Sequence, residues 1–290
     1  MCITKYIDPF TDFGFKRIFG NEKHKNLLIS FLNDLLDIQY PIVDLEYKNL
    51  EKLGINLADR KAVLDVYCTD SKGNKFIVEL QREKQKFFKD RSLYYTSFVI
   101  QEQAERGDWD YQLTPIYFVG ILEFSLDETN DKYLTKVKLC DVDTKDVFYD
   151  KLGFYYIEIP KFTKEENELK NHLEYWLYFM KNAAQLTDIP EKFKKDKEIK
   201  EAFDVASFLN LSKDEQFAYQ MDMKARLDFK NTINYAKECA KEEGLKEGET
   251  KAKIEIAKNC IKNGLDNQTI QNITNLSIED IENLRTENEM

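Results

Sequence analysis

The sequence predicts an α/β domain followed by a mostly α-helical C-terminal region. Two patterns support this. A helix, three strand-like runs, a second helix and a strongly apolar strand come in that order, and from Thr163 onward apolar residues recur at helical spacing. Hydrophobic residues make up 42% of the 290 residues and aromatic residues 13%, which is enough to fill a substantial core and excludes a disordered or fibrous chain.

The first helix is predicted at about residues 22–37, where Leu and Phe recur every three or four positions and Pro41 follows the end. A segment rich in Phe and Gly, residues 8–20, precedes it and indicates a packed loop with a short helical turn. The α/β domain is therefore expected to place a helix before its first strand.

Three strand-like runs follow, at residues 43–48, 62–69 and 75–81. The last two are joined by five residues that begin with Asp70 and carry Gly73 at the fourth position, which suits a type I turn closed by a left-handed glycine. These two runs are therefore predicted to form a β-hairpin.

A second helix is predicted at residues 90–106, and a strand at residues 115–122 is too apolar to lie at a sheet edge. Two more strands are expected near residues 134–139 and 154–159. After residue 163, one apolar stripe has the spacing of a helix, formed by Leu173, Trp176, Leu177, Met180 and Ala184.

The predicted domains are an α/β domain at residues 1–160, a helical extension at 161–235 and a charged helical tail at 236–290. Within the tail, residues 237–253 are mostly Lys, Glu and Gly, which fits either a solvated helix laced with opposite charges or a flexible spacer.

The end of the tail resembles a helix-turn-helix, with three short amphipathic segments separated by Gly264 and Ser277. The segment in the place of a recognition helix, residues 277–283, carries three acidic residues, Glu279, Asp280 and Glu282, and lacks the Arg or Lys that reads guanine. We therefore expect the tail to serve protein–protein contact or self-association and not base recognition.

The charge of the chain limits how it can bind nucleic acid, and its cysteines indicate the cellular compartment. The chain has 43 basic and 53 acidic residues, a formal charge of −10, so contact with nucleic acid must come from a local basic patch. Five scattered cysteines without a CxxC pair fit a reducing cytoplasm and argue against a zinc site. No secretory signal is evident, and the longest apolar run, residues 116–122, is too short to cross a membrane.

The predicted hairpin brings two acidic residues together. If Asp70 pairs with Asn74, counting back along both strands places Asp65 opposite Glu79, with Cβ atoms roughly 5 Å apart. Along the third run, successive side chains point to opposite faces of the sheet. Phe76, Val78 and Leu80 share one face, which we assign to the core, and Glu79 lies on the other.

Two opposed carboxylates in apolar strands repel each other, and a hard divalent cation would remove that cost. The backbone carbonyl of Leu80 would add another oxygen ligand. The alternative is that Asp65 and Glu79 line a solvent-facing surface of the sheet, and a register slip of one residue would separate them.

These residues resemble a known nuclease core. The runs Leu64-Asp65-Val66 and Ile77-Val78-Glu79-Leu80-Gln81 resemble the PD-(D/E)XK nuclease motif, in the variant that ends in Gln instead of Lys. Residues 8–20 are similar to the start of the Rpn family of recombination-promoting nucleases, often labelled transposases. The helix with Arg91, Tyr94 and Tyr95 also resembles that family. The resemblance covers roughly residues 5–125 well and continues more loosely to residue 159.

The resemblance implies a metal-dependent nuclease fold with a mixed central sheet flanked by helices. It implies that Asp65, Glu79 and the Leu80 carbonyl hold Mg²⁺, with Mn²⁺ as an alternative, and that Gln81 is catalytic where most of the superfamily has Lys. Gln is neutral and can only orient water through its amide, so a nearby cation must compensate or catalysis is slower. The candidate cations are Lys16, Lys61 and Lys84.

The run after Gln81, residues 82–91, has five basic and two acidic residues and fits either a DNA-contacting edge or a solvated loop. The candidate DNA-binding residues are Lys16, Arg82, Lys84, Lys86 and Arg91. Asp12 is either a further acidic ligand or a helix cap, and Tyr94 faces either the cleft or the core.

The sequence thus predicts a cytoplasmic, Mg²⁺-dependent endodeoxyribonuclease, with water as the nucleophile, linked to DNA recombination or mobile elements. Its predicted partners are DNA and a second copy bound through the C-terminal helices. The alternative is a catalytically silent relative that acts as a binding or oligomerising module, with a role in defence against foreign DNA.

Overall fold

The computed structural model describes residues 4–48, 64–104 and 107–288. The chain divides into two compact units, residues 1–223 and 224–290. Within the described ranges, no helix combines the length and the apolar content that crossing a bilayer requires.

The first unit is built on a six-stranded mixed sheet in the order β1-β2-β3-β4-β6-β5. Its strands are β1 Leu45–Tyr47, β2 Val66–Asp70, β3 Lys75–Gln81, β4 Ile116–Leu122, β5 Leu134–Cys140 and β6 Val147–Glu158. The pairs β3–β4 and β4–β6 are parallel, and the other three pairs are antiparallel. The predicted α/β fold with a mixed central sheet is therefore confirmed.

Helices cover both faces of this sheet. They are α1 Asp12–Phe19, α2 Lys25–Leu35, α3 Phe88–Glu102, α4 His172–Asn182 and α5 Lys197–Ala206. One apolar cluster joins α1, α2, α4 and α5 to the face that carries Val66, Phe76 and Val78. The other joins α3 to the face that carries Tyr67 and Ile77. Both faces of the sheet are therefore buried. The alternation in the sequence of β3 predicts only one core face, that of Phe76 and Val78.

The opening segment is more helical than the sequence indicates, because it forms the two-turn helix α1. The Thr11 side chain caps this helix by accepting the Gly14 N–H at 2.9 Å. A Cβ on Gly14 would lie 2.2 Å from the Asp8 carbonyl oxygen, so only glycine permits this close turn.

Other differences concern where elements begin. Strand β1 is shorter than predicted, and β6 begins at Val147, ahead of the predicted residue 154, because its first residues pair with β5 in an exposed hairpin. Helix α5 begins at Lys197, capped by Asp196, and its buried residues Ile199, Ala202, Phe203 and Ala206 have helical spacing. Residues 62–63 of the second predicted strand lie outside the described ranges.

Helix α6, Lys213–Lys262, contains the Lys- and Glu-rich run, so that run is helix and not a coil spacer. In the second unit α7 Asn267–Thr274 and α8 Ile278–Asn288 follow. Ala257, Ile270, Ile281 and Leu284 form the small core of this unit, as the predicted amphipathic segments require.

Candidate active site

The β2–β3 hairpin has the predicted register. Val66 pairs with Val78 and Cys68 with Phe76. The turn is closed by a hydrogen bond of 3.1 Å from the Asp70 N–H to the Asn74 carbonyl, and Gly73 has φ of 82°. Continuing the same register by one pair brings Asp65, directly before β2, opposite Glu79.

Asp65 and Glu79 are joined by reciprocal hydrogen bonds to each other's strand. The Asp65 N–H donates to Oε1 of Glu79 at 3.0 Å, and the Leu80 N–H donates to Oδ2 of Asp65 at 2.8 Å. Glu79 is only 2% exposed and Asp65 is half-buried. The pair therefore does not lie on a solvent-facing surface of the sheet.

Burial makes the charge on this pair costly. Loss of hydration and, after it, the negative charge of Asp65 together raise the pKa of Glu79 to about 8. Burial also raises the pKa of Asp65, while the Leu80 N–H and the charges of Lys16 and Arg91 oppose that rise. A buried carboxylate beside a half-buried one is stabilised by nearby positive charge.

Arg91, on the first turn of α3, supplies part of that charge. Its Nη2 lies 3.5 Å from Oε2 of Glu79, and its Nη1 donates to Oε1 of Gln81 and of Gln85, both at 3.0 Å. Its Nε donates to the Tyr95 hydroxyl at 2.7 Å, and the guanidinium lies 4.9 Å from the centre of that ring. Arg91 thus connects three site residues through a planar group that stays protonated.

The Gln81 side chain is engaged at both ends. Its Oε1 accepts the Arg91 bond, and its Nε2 donates to the Glu83 carbonyl at 3.1 Å. In this arrangement the amide orients Arg91, whereas the sequence leads us to expect it to orient a water molecule.

Helix α1 places a second cation near the pair. Lys16 Nζ lies 2.9 Å from Oδ1 of Asp12, one turn earlier in the helix. Lys16 is close enough to Asp65 for the two charges to shift each other's pKa. Asp12 and Lys16, both predicted from sequence, therefore reach the site from the side of α1.

Helix α6 brings a further carboxylate, that of Asp222, near the site, and no pattern in the sequence identifies it. Oδ2 of Asp222 accepts the Phe13 N–H at 2.9 Å, and Oδ1 lies 3.9 Å from Nη1 of Arg82. Asp222 is far along the chain in a helix without a marked apolar stripe, so no local pattern connects it to the hairpin.

The other site residues predicted from sequence make no described side-chain contact with Asp65 or Glu79. Lys84 pairs with Glu128 at 2.9 Å, and Lys86 is exposed with Nζ 5.3 Å from the Phe87 ring centre. Tyr94 is 46% exposed and packs edge-on against Phe98. Lys61 lies outside the described ranges. The Leu80 N–H bonds to Asp65, and a ligand role for its carbonyl stays a prediction.

A second group of acidic residues surrounds His172, whose ring nitrogens contact Asp34 at 2.5 Å and Asp196 at 3.0 Å. The hydrogen bond to Asp34, with that to Asp196, raises the pKa of His172 to about 9. Ligand atoms of His172, Asp196 and Glu198 lie within 4.8 Å of one another, but an imidazolium offers no lone pair to a metal. This cluster is an ion-pair network that joins α2, α4 and α5.

Two known families match this chain. The family described as PD-(D/E)XK nuclease family transposase matches residues 9–236. The family described as Rpn/YhgA-like nuclease family, C-terminal HTH domain, matches residues 250–286. No curated protein and no solved structure matched in the corresponding searches.

Proposed function

The chain belongs to the PD-(D/E)XK nuclease family transposases and carries an Rpn/YhgA-like C-terminal helix-turn-helix domain, and from this premise we propose that it is a metal-dependent DNA endonuclease. The observation that supports this most is the buried pair Asp65 and Glu79, held by reciprocal backbone hydrogen bonds beside Arg91. We place the activity in DNA recombination or in the movement of mobile elements.

The donor atoms of the pair fit a hard divalent cation. The backbone hydrogen bonds use Oε1 of Glu79 and Oδ2 of Asp65, so Oδ1 of Asp65 and Oε2 of Glu79 would bind the cation, and Oε2 already lies 3.5 Å from Nη2 of Arg91. Asp65, Glu79 and the Leu80 carbonyl would hold Mg²⁺, with Mn²⁺ as the alternative. When bound, such a cation polarises a phosphoryl oxygen and neutralises developing charge.

Arg91 takes the electrostatic part that Lys plays in most of the superfamily. Its guanidinium is anchored on Gln81, the residue that replaces that Lys, and lies beside Glu79. Because Arg cannot lose its proton near neutral pH, it stabilises negative charge on the phosphate and does not accept a proton from water. Lys84, an alternative on sequence grounds, pairs with Glu128.

DNA contact is assigned to the basic residues around this pair. Lys16, Arg82 and Arg91 approach the carboxylates of the site, and Lys84 and Lys86 lie on the exposed segment that leads into α3. Such contacts with phosphate position the strand without reading its bases.

For the C-terminal helix-turn-helix domain we propose self-association, through the C-terminal helices, as its main role. Helix α8 exposes Glu279, Asp280 and Glu282, which would repel the phosphates of a major groove. Its Arg285 is directed inward, where Nε donates to Oδ1 of Asn267 at 2.7 Å and Nη2 bonds to the Leu265 carbonyl.

We also propose a cytoplasmic location, since the four described cysteines, Cys68, Cys140, Cys239 and Cys260, are all free thiols. The competing function is a catalytically silent binding module, with a role in defence against foreign DNA. The observation that favours it is that the Gln81 amide oxygen already bonds to Arg91 and its nitrogen to the Glu83 carbonyl.

Supercoiled-plasmid nicking in Mg²⁺ tests the proposal, with the native chain, Asp65→Ala and the control Asp188→Ala. Asp188 is an exposed partner of Lys5, remote from the hairpin in sequence and in contacts. We expect nicking by the native chain and the control and none by Asp65→Ala. Equal nicking by all three would reject the site, and no nicking by any would favour the binding module.

A further inference from the structure

The first turns of α6 contact α1 and the residues before it at three places. The Asp8 N–H donates to the Tyr219 hydroxyl at 3.0 Å, the Phe13 N–H donates to Asp222 at 2.9 Å, and Arg17 pairs with Glu215. All these residues belong to the first unit, and the nuclease family match includes this part of α6.

Asp222 acts as a second cap for α1. The first N–H groups of a helix have no partner within the helix, and a side-chain oxygen usually satisfies one of them. Here Thr11 accepts the Gly14 N–H, and Asp222 accepts the Phe13 N–H from another part of the chain. A carboxylate at this end is also favoured by the partial positive charge of the helix N-terminus.

The start of α1 matters because Asp12 and Lys16 lie on it. Burial opposes the charge of Lys16, but its hydrogen bond with Asp12 and the charges of Asp65 and Asp222 raise its pKa. Lys16 is thus placed among three carboxylates, and the cap at Phe13 fixes the turn of helix from which Lys16 reaches Asp65.

Asp222 also faces the end of β3. Arg82, the residue after Gln81, has a buried Nη1 that makes no hydrogen bond to the described residues, and Oδ1 of Asp222 lies 3.9 Å from that nitrogen. One carboxylate therefore joins the N-terminus of α1 to the residue that follows the catalytic strand.

We propose that Asp222 is a positioning residue of the nuclease site, which holds α1 against the end of β3 so that Asp12 and Lys16 stay beside Asp65. This inference rests on the proposed nuclease function. Asp222 itself touches neither Asp65 nor Glu79 in the contacts described, and it acts through Phe13 and Arg82.

The test is steady-state plasmid nicking by the full chain in saturating Mg²⁺, with Asp222→Ala and Asp222→Asn. Misplacing a site group lowers turnover, so Asp222→Ala should lower kcat by about 10- to 100-fold and change KM by less than about threefold. Asp222→Asn keeps an oxygen that accepts the Phe13 N–H and should recover most of that loss.

The matched control is Glu215→Gln, which weakens the other side-chain contact between α6 and α1 at Arg17 and should keep kcat within about twofold of the native value. Thermal melting of each variant shows that it is folded, and Asp222→Leu, which also lacks an acceptor, replaces Asp222→Ala if the latter does not fold. An unchanged kcat in the Ala or Leu variant, or an equal loss in Glu215→Gln, would overturn the inference alone. A native chain that does not nick DNA would overturn the proposed function as well.

Discussion

The β2–β3 hairpin and helix α8 both carry acidic residues, but those of the hairpin are shielded from solvent and those of α8 are exposed. Glu79 is 2% exposed and lies beside Asp65, whereas Glu279, Asp280 and Glu282 of α8 are exposed. In the hairpin, burial raises the pKa of the carboxylates and cations converge on them. On α8, water solvates the charges and no compensation is required. Burial, and not the number of acidic residues, therefore indicates where a cation is needed.

The sharpest test of this comparison neutralises one acid in each region. Glu79→Gln should lower Mg²⁺-dependent nicking by at least about 100-fold, because it removes a proposed ligand from the site. Glu279→Gln, the matched change on α8, should leave the rate unchanged. The measurement is the initial rate of conversion of supercoiled plasmid to open circles, and similar rates for both variants would break the comparison.

A second prediction concerns the cation that serves the buried pair. Arg91→Lys keeps the charge but cannot reproduce the fork that contacts Glu79, Gln81 and Tyr95, so we expect kcat to fall by about 10- to 100-fold. The control is Lys5→Gln, which removes an exposed pair with Asp188 and should change kcat by less than about twofold. Full activity of Arg91→Lys would show that charge alone is sufficient there.

The smallest effect is expected at His172, whose ring nitrogens pair with the partly exposed carboxylates of Asp34 and Asp196. The pKa of His172 is raised from 6.5 to about 9, so its contribution to the free energy of unfolding is complete below pH 6.5 and is lost as the pH rises through about 9. We expect His172→Gln to cost roughly 1–2 kcal/mol at pH 6 and little at pH 10. Urea unfolding at several pH values measures this, and a pH-independent loss would contradict it.

The hairpin could be predicted from sequence because its determinants are local. The turn residues Asp70 and Gly73 fix the register, and period-two alternation then assigns Glu79 to its face. The helices of the C-terminal unit could be predicted for a similar reason, since Ala257, Ile270 and Ile281 follow helical spacing.

The rest of the site depends on contacts between distant segments. The sequence draws attention to Arg91 as a DNA-binding candidate, but its bonds to Glu79 and Gln81 depend on how α3 crosses the sheet. The contact of Asp222 with Phe13 depends on the packing of α6 on α1, for which the sequence has no periodic signal. The full extent of helix α1 could not be predicted, because it depends on the Thr11 cap and on the close approach of Gly14 to the Asp8 carbonyl.

The central claim is that Asp65 and Glu79 share a divalent cation, and calorimetric titration of the full chain with Mn²⁺ tests it most directly. Saturation at one site per chain in the native protein and in Glu279→Gln, with loss of that site in both Asp65→Asn and Glu79→Gln, is the predicted result. Native-like Mn²⁺ binding by either hairpin variant, or no binding by the native chain, would contradict the account.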